Sequence, residues 1–115
     1  MGPVQAISTE QASLDKIVQA LVAKLDPQRI ILFGSWARGD QRPDSDFDIF
    51  VEVAAGADVR EASRKSYEAL HSIHAEIRRG VDIVVKDRAF VERYGDLVGT
   101  IVRPVMREGI VLYAR

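Results

Sequence analysis

The chain has 115 residues, of which 16 are basic and 17 acidic, giving a formal net charge of −1. This length predicts a single domain over residues 1–115, and the balanced charge gives no electrostatic basis for direct nucleic-acid or membrane-surface binding. Because cysteine is absent, a disulfide framework and a thiolate metal site are excluded. With no secretory leader and no apolar run of the ~20 residues that would span a bilayer, we expect a soluble, cytoplasmic protein.

The first predicted element is an amphipathic helix. Ser8 and Gln11 have the spacing of a capping box, and apolar residues then recur every three or four positions until Asp26 ends the helix. A short apolar run at 29–33 predicts a buried strand that leads into a turn at Gly34. The apolar stripe of the helix is expected to pack on the sheet to which this strand belongs.

A second strand is predicted after a short helix at 36–38 and a polar loop at 39–45. From 46 to 53 the side chains alternate as in a strand with two different faces. One face carries Phe47, Ile49, Val51 and Val53, and the other carries Asp46, Asp48, Phe50 and Glu52. Both aspartates therefore point to the same side of the sheet, whereas Glu52 is expected to lie too far along the strand to join them.

A long helix and a third strand follow. Asp58 is a suitable N-cap for a helix that runs to about residue 79 and stops at Gly80. The β-branched strand at 81–86 is interrupted at its second position by Asp82. A carboxylate is unexpected there because a buried strand of this kind is normally wholly apolar.

The sequence of the C-terminal part predicts further helices and a final strand. Asp87 is a suitable cap for one or two helices that reach about residue 108 and are broken or bent near Gly95 and again near Pro104. Residues 110–113 predict a short edge strand. This order of elements predicts an α/β (α+β) fold, a small mixed β-sheet flanked by helices.

The three aspartates suggest a metal site. Asp46 and Asp48 have Cα atoms roughly 6.6 Å apart on a strand, and Asp82 could join them from a neighbouring strand. Like charges at ~4 Å repel by about 1 kcal/mol in water and about 4 kcal/mol at an effective dielectric near 20, so a cation or protonation must offset the repulsion. Mg²⁺ takes one or two carboxylates together with water and phosphate oxygens. Asp82 would then serve as a further metal ligand or as a general base.

The turn at Gly34 and Ser35 supplies a complementary phosphate site. Gly34 lets the backbone approach a phosphate without a Cβ in the way, and Ser35 can donate from both its hydroxyl and its amide. Arg38 is the nearest cation in sequence, placed either to contact phosphate or to brace the loop.

Each feature taken alone has an ordinary explanation. A Gly-Ser pair is common in turns, and an Asp-x-Asp pair is often a solvated strand face. His71 and His74 lie three residues apart on a helix, but with no accompanying acidic or thiol ligand they are better explained as surface or packing residues. Trp36 suits a core anchor at least as well as a base-stacking residue. The joint occurrence of turn and carboxylates is what favours a nucleotide site.

The motif of Gly34-Ser35, ten residues and Asp46-x-Asp48 resembles the signature of the nucleotidyltransferases of the DNA polymerase beta superfamily, and the strand around Asp82 resembles the one that brings their third aspartate. The Gly-Ile-Val-Leu-Tyr ending further resembles the minimal nucleotidyltransferases. The resemblance implies that the three aspartates bind Mg²⁺ and that the Gly-Ser turn holds the triphosphate of ATP, the substrate.

Minimal members of the family resemble antitoxins that are encoded with a HEPN-domain ribonuclease toxin. The resemblance implies transfer of AMP from ATP to a hydroxyl of such a partner, a toxin tyrosine above all, with the chain acting as a homodimer or within a hetero-oligomer. Two alternatives remain open. The chain could neutralise the toxin by binding alone, or it could transfer a nucleotide to a small, antibiotic-like hydroxyl compound.

Overall fold

The computed structural model describes residues 10–77 and 79–115. The helices are α1 (Gln11–Leu25), α2 (Gly34–Arg38), α3 (Val59–Ser72), α4 (His74–Ile77), α5 (Arg88–Tyr94) and α6 (Val102–Glu108). The strands are β1 (Arg29–Phe33), β2 (Phe47–Val53), β3 (Val81–Asp87) and β4 (Ile110–Ala114). Among these elements, no helix has the length and apolar character that crossing a membrane requires. Ser8 of the predicted capping box lies outside the described residues.

The four strands form one mixed sheet in the order β3-β2-β1-β4. β1 pairs antiparallel with both β2 and β4, whereas β2 and β3 are parallel. A parallel pair needs a crossover connection, and α3 and α4 provide it between β2 and β3. The predicted fold class and the predicted edge position of the last strand are confirmed.

Helices cover both faces of the sheet. On one face α1, α3 and α4 bury the larger core, which includes Leu14, Ile17, Leu21, Ala69 and Ile77 against Phe47, Ile49 and Val51 of β2. On the other face α5 and α6 bury a smaller core of Ile31, Phe50, Val91, Val102 and Val105. The alternation predicted for β2 is confirmed, because Phe47, Ile49, Val51 and Val53 enter the larger core whereas Phe50 enters the smaller one.

Short polar side chains begin two of the helices as the sequence predicts. The Asp58 carboxylate accepts from the Glu61 amide at 3.1 Å, and the Asp87 carboxylate accepts from the Phe90 amide at 2.8 Å. Each bond satisfies a backbone donor that has no partner inside the helix. The bond from the Phe90 amide, and a second one from the Gly56 amide, also lower the pKa of Asp87.

The helix predicted from Asp58 to about residue 79 is not continuous. It ends at Ser72 and resumes as α4 after Ile73. The Ser72 hydroxyl donates back to the Ala69 carbonyl at 2.6 Å, and the Ile73 amide reaches Leu70 O at 3.2 Å. Such bonds to the third preceding residue tighten the last turn and end the α-helical ladder.

The helix break predicted near Gly95 is present, because α5 ends before that residue. The break predicted near Pro104 is absent. Pro104 occupies the first turn of α6, which begins at Val102. Backbone amides in a first turn have no partner within the helix, so proline is tolerated there.

Candidate active site

The three predicted aspartates lie at one end of the sheet, where β2 and β3 run side by side. Asp48 is in register with Asp82 across the parallel pair, so their side chains leave the same face from strands about 4.8 Å apart. Asp46 precedes the first residue of β2. Asp46 and Asp82 are exposed, and Asp48 is half-buried. The structure therefore brings the carboxylates together with one of them partly withdrawn from water.

Asp48 is the carboxylate that the negative charges of the other two aspartates repel. Burial raises the pKa of Asp48, repulsion from Asp82 and Asp46 raises it further, and Arg38 opposes the shift. Binding of a cation would relieve that repulsion, because an opposite charge favours the ionised carboxylates. The donor set consists of oxygens, which suits Mg²⁺.

The carboxylates do not form a closed cage. Within residues 10–77 and 79–115, no group of three or more His, Cys, Asp or Glu side chains is arranged to hold a metal ion. Mg²⁺ is usually bound by one or two carboxylates, with phosphate and water oxygens completing its octahedral shell. An open, oxygen-only site therefore fits a magnesium ion that arrives with a nucleotide better than it fits a structural zinc site.

The Gly34 turn lies directly against the central carboxylate. Phe33, the last residue of β1, pairs with Asp48 on β2, and Gly34 follows with a φ of 73°. A Cβ at this position would overlap the Asp48 carboxylate. A side chain is thus excluded both by the left-handed backbone and by the lack of space, and the backbone of the turn lies directly against the Asp48 carboxylate.

Ser35 and Arg38 stand on the short helix that this turn begins. α2 starts at Gly34 and not at Trp36, so Ser35 belongs to its first turn. Arg38 is exposed, and its Nε donates to Asp40 Oδ2 at 3.2 Å. Because Arg38 lowers the pKa of Asp48, it lies near enough to act on the carboxylate group while Asp40 braces it.

Gly80 is a site residue that the sequence marked only as the end of a helix. A Cβ on Gly80 would lie 2.7 Å from Asp46 Cγ, closer than real side chains approach. Its carbonyl also accepts from the Phe47 amide at 3.0 Å. Gly80 therefore provides the space in which the Asp46 carboxylate sits. A glycine two residues before Asp82 was the only signal of this role in the sequence.

The aromatic candidate packs in the core, and the two histidine candidates lie on exposed helix surface. Trp36 is buried, its ring centroid lies 5.3 Å from that of Phe47, and its Nε1 donates to Ser45 O at 2.9 Å. It is a core anchor and is not free to stack on a base. His71 and His74 are exposed on α3 and α4.

Replacing Gly34 by alanine is expected to destabilise the protein more than replacing Gly56. Both glycines have left-handed φ angles, 73° and 82°, and an L-residue in that conformation costs about 1–2 kcal/mol. Only at Gly34 does the new methyl group also overlap a neighbour, the Asp48 carboxylate; a Cβ at Gly56 meets nothing within 4 Å. Overlap of this kind adds about 1–3 kcal/mol. Urea unfolding of the two variants measures the difference, and equal losses would contradict the close approach to Asp48.

Solved structures with the same fold include a candidate nucleotidyltransferase and two toxin–antitoxin structures. A candidate nucleotidyltransferase from Sulfolobus solfataricus superposes with a TM-score of 0.58 at 19% identity, covering 100% of this chain and 89% of the other. A toxin–antitoxin structure with AMP-PNP gives a TM-score of 0.61 at 25% identity, covering 89% of this chain and 73% of the other. A mutant of the toxin–antitoxin MntA-HpeT has two aspartates, two positions apart, changed to glutamate. It gives a TM-score of 0.60 at 24% identity, covering 89% of this chain and 73% of the other.

The sequence itself identifies the family. No curated protein matches the chain, but the family model described as nucleotidyltransferase domain matches residues 14–105. That span runs from α1 into α6 and includes the Gly34 turn and all three aspartates. The chain therefore belongs to the nucleotidyltransferase domain family.

Proposed function

We propose that the chain is a Mg²⁺-dependent nucleotidyltransferase that moves AMP from ATP to a hydroxyl, preferably of a tyrosine, on a partner HEPN-domain toxin and so acts as its antitoxin. The observation that carries this proposal is the register of Asp48 with Asp82 beside the Gly34 turn. The proposal includes a single domain over residues 1–115, a cytoplasmic location, no direct contact with nucleic acid, and assembly as a homodimer or a hetero-oligomer.

The residues of the turn would hold the donor nucleotide. Gly34 brings the backbone of the turn against Asp48, Ser35 offers its amide and hydroxyl as donors, and Arg38 supplies a positive charge at the same end of the sheet. Asp46 and Asp48, with Asp82 beside them, would hold Mg²⁺. When bound, the ion would neutralise charge on the triphosphate and on the leaving pyrophosphate.

We infer that Asp82 would meet the acceptor. It lies on β3, an edge strand of the sheet, and it is exposed, so another protein can approach it. In the proposed reaction the acceptor hydroxyl oxygen bonds to the α-phosphorus, the bond from that phosphorus to the bridging oxygen of pyrophosphate breaks, and the hydroxyl proton passes to Asp82. The products are the AMP ester of the acceptor and pyrophosphate.

The solved neighbours support the choice of donor and partner. One of them was determined as a toxin–antitoxin with AMP-PNP, a nucleotide with an adenine base and a triphosphate-like chain. In another, two aspartates with the spacing of Asp46 and Asp48 were the residues changed. Both are toxin–antitoxin structures, which favours a protein acceptor over a small hydroxyl compound.

The proposal predicts a mass increase of the partner. Purified chain is incubated with ATP labelled at the α-phosphate, Mg²⁺ and the HEPN-domain protein encoded beside it. We expect label on the toxin, with loss of its ribonuclease activity, and no label when Asp46→Asn and Asp48→Asn are combined. Asp44→Asn removes an exposed charge from the same loop and is expected to leave transfer intact.

The alternatives give different results in the same assay. If the toxin never gains mass while the Asp46→Asn/Asp48→Asn protein still neutralises it fully, inhibition is by binding alone. If label moves instead to a small hydroxyl compound in the absence of any toxin, the chain is a small-molecule nucleotidyltransferase. Either result would overturn the proposed reaction.

A further inference from the structure

Arg79 bonds to Glu10, Pro43 and Ser45 beside the site, and the proposed reaction assigns it nothing. Its side chain is 17% exposed, and NH2 pairs with Glu10 Oε1 at 3.1 Å. The guanidinium carbon lies 4.7 Å from the centroid of the Trp36 ring and 5.3 Å from that of Phe47. Stacking on two aromatic faces and pairing with a carboxylate fix the planar group in one orientation.

The other nitrogen of the guanidinium holds the loop that precedes Asp46. NH1 donates to Pro43 O at 2.8 Å and to Ser45 O at 3.0 Å. Ser45 O also accepts from Trp36 Nε1 at 2.9 Å. The carbonyl immediately before Asp46 therefore receives two donors, and both belong to groups that are largely buried.

Asp46 needs such support because it lies outside the sheet. β2 begins one residue later, at Phe47, and Asp46 itself is exposed. The residue that follows Arg79, Gly80, accepts from the Phe47 amide at 3.0 Å and leaves space for the Asp46 carboxylate. The pair of residues 79–80 thus fixes the backbone on both sides of Asp46.

We propose that Arg79 is a positioning residue for Asp46. By holding the 43–45 backbone in place, Arg79 sets the affinity of the site for Mg²⁺. The inference rests on the proposed role of Asp46 as a metal ligand. Lysine at position 79 would keep the charge, but its single ammonium cannot present the fixed fork of donors that spans Pro43 O, Ser45 O and Glu10.

The test compares Arg79→Lys with Arg29→Lys. Arg29 is a part-buried arginine that pairs with Glu52 at the far end of β2. Both variants are titrated with MgCl₂ in the presence of AMP-PNP, with the emission of Trp36, the single tryptophan of the chain, as the signal. Amide exchange over residues 42–47 is followed without metal. We expect Arg79→Lys to raise the half-saturating Mg²⁺ concentration roughly two- to ten-fold, the range that loss of an ordinary hydrogen bond gives, and to speed exchange in the loop.

Arg29→Lys is expected to lower the thermal midpoint. It should leave the half-saturating Mg²⁺ concentration and the amide exchange over residues 42–47 as in the wild type. If Arg79→Lys lowers the thermal midpoint in the same way with an unchanged half-saturating Mg²⁺ concentration, Arg79 only stabilises the fold and the inference is overturned. If the wild-type protein itself shows no response to Mg²⁺, the proposed metal role of Asp46 is wrong, and the inference falls with it. The wild-type titration therefore separates the two failures.

Discussion

Asp48→Asn is expected to slow nucleotide transfer by orders of magnitude while making the nucleotide-free protein more stable at neutral pH. Asp48 is half-buried between two other carboxylates, and both burial and repulsion raise its pKa, so its ionised form opposes folding. An amide of the same shape removes that charge. The loss of activity should be roughly 10²- to 10⁴-fold, because metal-assisted stabilisation is worth several kcal/mol and each ~1.4 kcal/mol is tenfold in rate.

The stability gain should depend on pH in a defined direction. Because the pKa of Asp48 is higher in the folded chain than in the unfolded chain, the folded state holds more protons between the two pKa values, and stability falls as pH rises through that window. Below the unfolded pKa, about 3.9, the carboxyl is neutral in both states and the variant has no advantage. The gain is present in full above the folded pKa.

Thermal unfolding of wild type, Asp48→Asn and Asp96→Asn across this pH range checks the prediction. Asp96 is exposed in the loop after α5, so its variant controls for the loss of one surface charge. With Mg²⁺ and AMP-PNP added, the wild type should gain stability by linkage and Asp48→Asn should not. An Asp48→Asn protein that is less stable than wild type at neutral pH would contradict the account of the site as a strained carboxylate group.

The part of the site that was predictable is the part that local geometry controls. Alternation along a strand has a period of two, so the sequence alone places Asp46 and Asp48 on one face and Phe47 on the other. The Gly34 turn was predictable for a similar reason, because a glycine after an apolar strand marks a change of backbone direction. The register that sets Asp82 beside Asp48 depends on how β2 and β3 pair, and periodicity carries no information on it; the residues alone marked Asp82 only as an unexpected carboxylate in a β-branched strand.

The roles of Arg79 and Gly80 could not be predicted, because each depends on contacts between distant segments. Arg79 follows a polar helix and has the sequence of an ordinary solvated helix end, yet it bonds to a carbonyl 34 positions away. Gly80 has the sequence of a helix stop, and its second role follows only from the position of the Asp46 carboxylate. Supporting residues of this kind have no spacing rule, unlike the carboxylates that they hold.

Glu52 shows how one strand face can serve two purposes. It shares a face with Asp48, but it lies under α5 and α6 and is fully buried. Both of its oxygens accept from Arg29, its partner across the β1–β2 ladder, at 3.0 Å, and Arg88 NH1 lies 3.8 Å away. These bonds raise the pKa of Arg29. The carboxylate is thus neutralised within the protein and is not presented to a ligand.

Arg29→Met is expected to destabilise the protein by about 3–5 kcal/mol, the usual cost of leaving a buried charge without its partner. Arg88 is half-exposed and more distant, so it should recover only part of the loss. Adding Glu52→Leu should restore wild-type stability or exceed it by about 1–4 kcal/mol, because well-packed apolar residues need no desolvation of charge.

Urea unfolding of the two single variants and the double variant gives the coupling between the residues. Arg64→Met is the control, since Arg64 pairs with Glu61 and Glu68 on the exposed face of α3, and exposed ion pairs contribute little to stability. Because the pair lies at the opposite end of β2 from Asp48, the double variant should keep nucleotide transfer. A double variant as unstable as Arg29→Met would mean that the buried charge is not the cause of the loss, and that Arg29 stabilises the sheet through its packing against Met106 and the β4 edge.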